Sequence, residues 1–224
     1  MRDGRIPEAT VSRLPLYLQV LVEATDAGLT TLSSEDLAQA AGLTSAKVRK
    51  DLSFLGSYGT RGVGYRVAEL TTEISLVLGL TRDRPVVIVG VGNLGSALAS
   101  YDGLARRGFR VEALVDADPG RIGTQVAGCE VEPVAALPRL VRERDISIAV
   151  VAVPAVAAPP VVEQLVDAGI TAILNFAPVH LDTPDHVTVR TVDLSTELQI
   201  LSFYEQVAGD LPAVAAGTGR PRSA

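Results

Sequence analysis

The stretch PVVIVGVGNLGSALASY, Pro85 to Tyr101, constrains this 224-residue chain more than any other. Val86 to Gly90 reads Val, Val, Ile, Val, Gly, a run suited to a strand buried on both faces. Gly90, Gly92 and Gly95 then fall in the spacing G-x-G-x-x-G, and SALASYDGLA continues with apolar residues at helical intervals. Strand, glycine turn and helix in immediate succession form the setting of a dinucleotide-binding loop. Each glycine answers a separate demand. Gly90 permits the tight turn, Gly92 removes a Cβ that would block a pyrophosphate, and Gly95 lets helix and strand approach closely. The loop residue Val91 and the free N–H groups near Asn93 and Leu94 would face the phosphates, with the helix dipole adding to the attraction.

Glycines also punctuate ordinary βα turns, so a second feature has to separate the two readings. It comes from FRVEALVDAD, a second strand ending at Asp116, 24 residues after Gly92. That is the separation expected of an acid that holds an adenosine ribose 2′-OH. Asp116 favours NAD(H) over NADP(H), because a 2′-phosphate would meet a fixed negative charge; Arg121 is the nearby cation that argues the other way. Beyond it, ISIAVVAVP (Ile146 to Pro154), TAILNFAPVHL (Thr171 to Leu181) and HVTVRTVDL (His186 to Leu194) alternate with helical segments. That alternation predicts a Rossmann-like, doubly wound parallel sheet. Ligands of such sheets sit at the carboxyl ends of the strands. Here those ends are Gly90, Asp116, Val153-Pro154 and Asn175-Phe176-Ala177-Pro178.

The net charge of −6 opposes non-specific attraction to nucleic acid, but its distribution does not. Both lysines of the chain, Lys47 and Lys50, fall with Arg49, Arg61 and Arg66 between Thr44 and Arg66, against the single anion Asp51. Before this patch, Ile6 to Gly28 reads as one helix with Leu14, Leu18, Leu21 and Val22 on its apolar stripe and Pro15 as a kink or restart. A helix capped by Ser33 or Ser34 and a third helix capped by Thr44 and ending at Leu55 flank a turn at Gly42-Leu43. That is a helix-turn-helix, whose second member would enter a major groove. On the third helix Val48, Leu52 and Leu55 share the buried face. Ser45, Lys47, Arg49, Lys50 and Ser53 are left for DNA. GSYGTRGVGYRV then predicts a glycine-rich hairpin presenting Tyr58, Arg61, Gly62 and Tyr65, a wing along the backbone or in the minor groove. Val67 to Leu80 predicts a packed connecting helix.

The predicted organisation is thus a winged helix-turn-helix domain over 1–80, a Rossmann domain over 81–194, a C-terminal helix over 195–208 and a tail over 209–224 expected to be disordered. The helix STELQILSFYEQVAG is too apolar to stand exposed, and suits packing on or swapping with a second copy. No apolar run reaches the 18 residues of a membrane helix. The single cysteine, Cys129, excludes an internal disulfide framework and a cysteine-only metal site. A cytoplasmic protein with no membrane or metal partner is expected.

Taken in order, IPEATVSRLPLYLQVL, SSEDLAQAAGLTSAKVRKDLSFLGSYGTRGVGY, VVIVGVGNLGSALASY, ILNFAPVHL and VDLSTELQILSFYE resemble the Rex family of redox-sensing transcriptional repressors, from Ile6 to Gln206. The resemblance implies a homodimer that reads the NADH/NAD+ ratio. Apo or NAD+-bound dimers would hold a palindromic operator, and NADH would close the dimer into a form that cannot. It further implies that Tyr101 lies near the nicotinamide, that Asp193 marks the entry of the swapped helix, and that Arg13 pairs with that acid in the DNA-bound form. The implied switch has Asp193 leave Arg13 for Tyr101 of the partner subunit. Leu194 departs from relatives that carry an aromatic residue there.

The competing class is an NAD-dependent dehydrogenase carrying a DNA-binding module. Such an enzyme needs a proton-transferring group and an anchoring cation near the nicotinamide. After Leu80 there is no lysine, the only histidines are His180 and His186, and no segment is long enough for a substrate domain. A sensor, not an enzyme, is the expectation.

Overall fold

The computed structural model describes residues 6–56, 59–60 and 63–209, and the side chains among them except those of the last two. The chain divides into two compact units, residues 1–84 with 103–109, and residues 85–102 with 110–224.

In the first unit, helices α1 (Glu8–Val11) and α2 (Leu14–Asp26) replace the single helix expected from the apolar spacing. Pro15, in the first turn of α2, has no N–H to donate back to Val11, so the ladder breaks and restarts there. The buried stripe of α2 is Leu14, Tyr17, Leu21 and Ala24, and Val22 is exposed. Strand β1 (Thr31–Leu32) follows, a two-residue element that the sequence reading did not contain. Helix α3 (Ser34–Ala40) opens on Ser33, whose Oγ accepts from Asp36 N–H while the Asp36 carboxylate accepts from Ser33 N–H, a complete capping box. After the turn at Gly42, Thr44 caps α4 (Ser45–Leu55). Strand β2 (Tyr65–Arg66) pairs antiparallel with β1, Leu32 opposite Tyr65, and Thr60 bridges Gly64 just before it. Helix α5 (Val67–Val77) buries Val67, Leu70 and Ile74 in the same core as Leu14, Leu37, Val48 and Leu52. It is therefore a packed helix of this unit's core. The apolar contacts of α2, α4 and α5, each worth about 1.5–3 kcal/mol per buried aliphatic side chain, hold the helix-turn-helix in shape.

The second unit is built on a seven-stranded sheet: β3 (Arg84–Val89), β4 (Phe109–Asp116), β5 (Gln125–Val126), β6 (Cys129–Pro133), β7 (Ile148–Val151), β8 (Ala172–Asn175) and β9 (Thr188–Thr191). Their order is β5-β6-β4-β3-β7-β8-β9. The pairs β3·β7, β4·β6, β7·β8 and β8·β9 are parallel, and the β5·β6 hairpin is antiparallel. Chain order runs outward from β3 to one edge and then returns to β7 on its other side. The carboxyl ends of β3 and β7 are thus a topological switch point, where open α/β sheets bind ligands. Val86 to Val89 are buried throughout, as a central strand requires. The helices of this unit are α6 (Asn93–Ala99), α8 (Leu137–Glu143), α9 (Ala158–Asp167) and α10 (Leu194–Gly209), while residues 103–105 of α7 (Asp102–Ala105) belong to the first unit. The helix after the glycine loop ends at Ala99 and restarts at Asp102, so Tyr101 follows α6 instead of lying within it.

Every side chain of α10 from Leu194 to Val207 is exposed, among them Leu198, Leu201, Phe203 and Tyr204. Packing back onto its own unit does not occur. The tail from residue 210, expected to be disordered, lies outside the described residues.

Candidate functional site

The three loop glycines are distinguished by what a Cβ would meet. At Gly90, where φ is +90°, it would come 2.6 Å from the Ala152 carbonyl oxygen and 2.7 Å from Val153 Cγ1, so the ends of β3 and β7 pass in contact. At Gly95 it would lie 1.9 Å from the Gly90 carbonyl oxygen, which is the close approach of α6 to the strand. At Gly92 it would meet nothing within 4 Å. The chain itself makes no demand for glycine there, and the space is open for a ligand. Gly92 is also the N-cap of α6 and offers no side-chain acceptor to the first N–H groups of the helix, at Asn93 and Leu94. This donor set and the open space suit a pyrophosphate.

Asp116, at the end of β4, holds that loop. Its Oδ2 accepts from Val91 N–H at 2.7 Å and its Oδ1 from Asp118 N–H at 2.9 Å. The Val91 carbonyl in turn accepts from Arg121 Nη1 at 2.5 Å and from Ser96 Oγ at 3.0 Å. Val91, in the glycine loop, is therefore held through both its N–H and its carbonyl. A carboxylate has roughly four acceptor positions, so two remain on Asp116 for ribose hydroxyls. Arg121, read from the sequence only as a cation that would suit a 2′-phosphate, spends one donor on the loop and lies 3.6 Å from Asp118. Neither Arg121 nor Ser96 could be placed in this clamp from spacing alone.

The other nucleotide-site residues divide into two groups. Pro154, Pro178 and Tyr101 are exposed, Val153 is half-buried, and Leu194 is exposed. Asn175 and Ala177 are buried. The Asn175 amide donates to the Ala177 and Val179 carbonyls at 3.0 and 3.2 Å and accepts from Ala177 N–H at 2.9 Å. Its amide hydrogens are spent on the loop after β8.

Helix α4 exposes Lys47, Arg49, Lys50 and Ser53, with Ser45 half-buried and Thr44 exposed at its start. Lys47 and Lys50 extend from one surface of it. Arg49 reaches across to α3, donating to Ser34 Oγ at 2.9 Å and pairing with Glu35 at 3.3 Å. Arg49 thus has an acidic partner on the neighbouring helix, though not on its own. Tyr65, expected on the wing surface, is buried: it faces Leu32 across the β1·β2 pair and joins the core, while its neighbour Arg66 alternates outward. Tyr58, Arg61 and Gly62 lie outside the described residues.

Of the three residues expected to change partners, Arg13 and Asp193 have these contacts. Arg13 donates to Asp51 through Nε at 2.6 Å and Nη2 at 2.7 Å. Asp193 accepts from Ser195 N–H at 2.8 Å and Thr196 Oγ1 at 3.1 Å, capping α10; these bonds hold its carboxyl below the usual range. Asp51, read from the sequence as the lone anion of a basic surface, is instead a buried acceptor for Arg13, Thr10 and Tyr17.

Among the described residues no three His, Cys, Asp or Glu side chains gather as a metal site, and no helix is long and apolar enough to cross a membrane.

Residues 5–53 match the family model "Putative DNA-binding protein N-terminus", and residues 81–179 match "CoA binding domain". The redox-sensing transcriptional repressor Rex of Streptomyces coelicolor is 56% identical over 223 residues, covering 100% of this chain and 86% of that protein. The repressor Rex of Carboxydothermus hydrogenoformans is 48% identical over 203 residues, covering 91% of this chain and 98% of that protein. The crystal structure of RSP in complex with beta-NAD+ and operator DNA superposes with a TM-score of 0.84 at 31% identity, covering 93% of this chain and 100% of that one. The RSP complex with beta-NADH gives 0.83 at 30% identity, covering 92% of this chain and 97% of that one. A helix-turn-helix unit and a glycine-loop α/β unit, joined in one chain with relatives this similar along their length, place it plainly: the chain belongs to the Rex family of redox-sensing transcriptional repressors.

Proposed function

We propose that this protein is a cytoplasmic repressor that holds palindromic operator DNA as a homodimer and releases it when NADH occupies the α/β unit. The observation that carries this reading is the clamped, open glycine loop beside Asp116, in the same chain as a basic helix-turn-helix. Asp116 would bind the ribose, the loop from Gly90 to Gly95 the pyrophosphate, and Val153, Pro154, Pro178 and Tyr101 would border the nicotinamide. Bound NAD(H) supplies no chemistry to this function; it is the signal. Thr44, Ser45, Lys47, Arg49, Lys50 and Ser53, with Tyr58, Arg61 and Gly62 of the wing, would meet DNA. Phosphate contacts would set register and base-edge contacts specificity. The exposed apolar α10 supports a second copy as its cover, which gives the two-fold symmetry a palindrome requires. Arg13, Tyr101 and Asp193 are read as the residues that change partners between the two forms.

Release follows from linkage. If NADH prefers the DNA-free form, DNA affinity falls by the same factor, about 5- to 150-fold for a coupling of about 1–3 kcal/mol. An oxidoreductase activity is not part of this reading. His180 is almost fully exposed and its nearest acid, Asp182 at 3.5 Å, is fully exposed, a surface pair with no sequestered site for proton transfer. The deciding experiment is a titration of operator-bound protein with NADH and then NAD+ at fixed salt, on a palindromic library. Release by NADH at concentrations where NAD+ does little is expected. Equal release by both would leave an NAD(H)-binding regulator that does not read redox state.

A further inference from the structure

Asp51 lies on α4 immediately after the exposed Arg49 and Lys50, yet it is 2% exposed. Its Oδ1 accepts from Thr10 Oγ1 at 2.9 Å and Arg13 Nη2 at 2.7 Å, and its Oδ2 from Arg13 Nε at 2.6 Å and Tyr17 OH at 2.7 Å. Four bonds fill the acceptor capacity of one carboxylate. The donors come from α1, α2 and the N-cap residue of α2 between them, and every bond ends on the helix read as the DNA-reading one.

Stability alone gives no reason for this arrangement. A buried charge must recover its desolvation through its partners, and a well-packed apolar side chain at such a position is often as stable or more so. What a carboxylate with four directional bonds adds is geometry. The contacts of Val48 and Leu52 tolerate small rotations of α4, because dispersion attraction is non-directional. Hydrogen bonds lose strength steeply as their angles open. A rotation of about 10° moves side-chain ends on a helix of 5–6 Å outer radius by about 1 Å. That is enough to spoil a bidentate contact with a base edge, whereas a lysine on a phosphate adapts through its flexible stem.

We propose that Asp51 is a positioning residue for sequence-specific DNA reading. It fixes the angular setting of α4 against α1 and α2, with Thr10, Arg13 and Tyr17 as the brace. The inference rests on the reading of α4 as the DNA-reading helix. It also gives Arg13 a defined mechanical role. Its Nε/Nη2 edge is committed to Asp51, while Nη1 has no bond among the described residues and the side chain is 19% exposed. Any acid that engages this guanidinium acts on the setting of α4 through Asp51.

The test compares the full-length protein with Asp51→Asn and Tyr17→Phe, well below their melting temperatures and at one salt concentration. Affinity is measured for a palindromic operator selected by the wild type and for a scrambled duplex of equal length. Asp51→Asn is expected to lower the operator-to-scrambled affinity ratio about tenfold, the value of one good base contact, with scrambled-DNA and NADH affinities little changed. Tyr17→Phe, which removes one bond and keeps the ring, should lower it about threefold. An unchanged ratio in both variants, whatever their melting temperatures, would make Asp51 a stability residue only and overturn the proposal. If Asp51→Asn does not fold, Tyr17→Phe decides by the same criterion. A wild-type protein that prefers no palindrome over scrambled DNA would overturn the reading of α4, and this inference with it, before any substitution is made.

Discussion

Alanine at Gly95 and alanine at Gly92 should both weaken NADH binding but differ in their effect on stability, although both sit in the same six-residue motif. At Gly95 the new Cβ would lie 1.9 Å from the Gly90 carbonyl oxygen, a separation that must open by more than 1 Å. Strand β3 is central and cannot yield, so the start of α6 must move. Overpacking of this kind costs about 1–3 kcal/mol. In a chain of this size each kcal/mol lowers Tm by about 2–4 °C, so a fall of about 2–12 °C is expected. The displaced N–H groups lose alignment with the phosphates, and one charge-assisted bond worth about 1.5–3 kcal/mol makes NADH binding at least about tenfold weaker. At Gly92, with an ordinary φ of −67° and open space, the substitution should leave Tm within a few degrees. It should still weaken NADH at least about tenfold, because the Cβ fills the ligand's space. Thermal melts followed by circular dichroism, with NADH fluorescence titrations on the same samples, separate the two effects. Wild-type NADH affinity in Gly92→Ala would refute the assignment of that space to a ligand. Equal destabilisation by both variants would refute the argument from contacts.

Asp116→Ala should weaken NADH and leave operator DNA bound at NADH concentrations that release the wild type, as read by fluorescence anisotropy of labelled operator; unaltered release would remove the ribose assignment. Arg49→Ala should lower operator affinity several-fold and leave NADH affinity intact, since its only described partners are on α3; isothermal titration with each ligand checks this. The stability of the first unit should fall in acid. Burial alone would raise the Asp51 carboxyl, but the bonds from Arg13, Tyr17 and Thr10 outweigh it and hold the group below its ordinary value. Its contribution is therefore complete above the unfolded value near 4 and is lost as pH falls through the lower folded value. The acid limb of a denaturant-midpoint profile should accordingly be shallower in Asp51→Asn than in the wild type.

The glycine loop, Asp116 and the βα alternation were legible because their signals are local: a run of β-branched residues, a spacing, a strand end. The capped helix starts at Ser33 and Thr44 were legible for the same reason. What escaped reading was set by partners distant in sequence. Strand β1 is two residues long and exists because β2 pairs with it. Tyr65 reads as a surface aromatic in an isolated wing hairpin, and it is the pairing with β1 that buries it. Asp51 illustrates a different failure. Val48, Asp51, Leu52 and Leu55 are spaced i, i+3, i+4, i+7, so helical geometry already put the carboxylate on the apolar face. Its charge suggests the lysine-bearing surface, whereas its period points inward. Asn175 and Arg121 are legible only afterwards, since both act on backbone groups that no side-chain pattern reveals.

Helix α10 has a genetic consequence. A sixteen-residue helix whose side chains from Leu194 to Val207 are all exposed, with no cover among the described residues, is marginal in water. If a second copy supplies that support, the folded state depends on how many chains are present. Pairing then does not ask whether the incoming copy can read DNA. A damaged allele altered only on α4 would still enter mixed pairs, each holding one competent half where a palindrome needs two. With equal expression and random pairing, about three pairs in four would contain a damaged copy, so a loss-of-function change on α4 would behave as a dominant one.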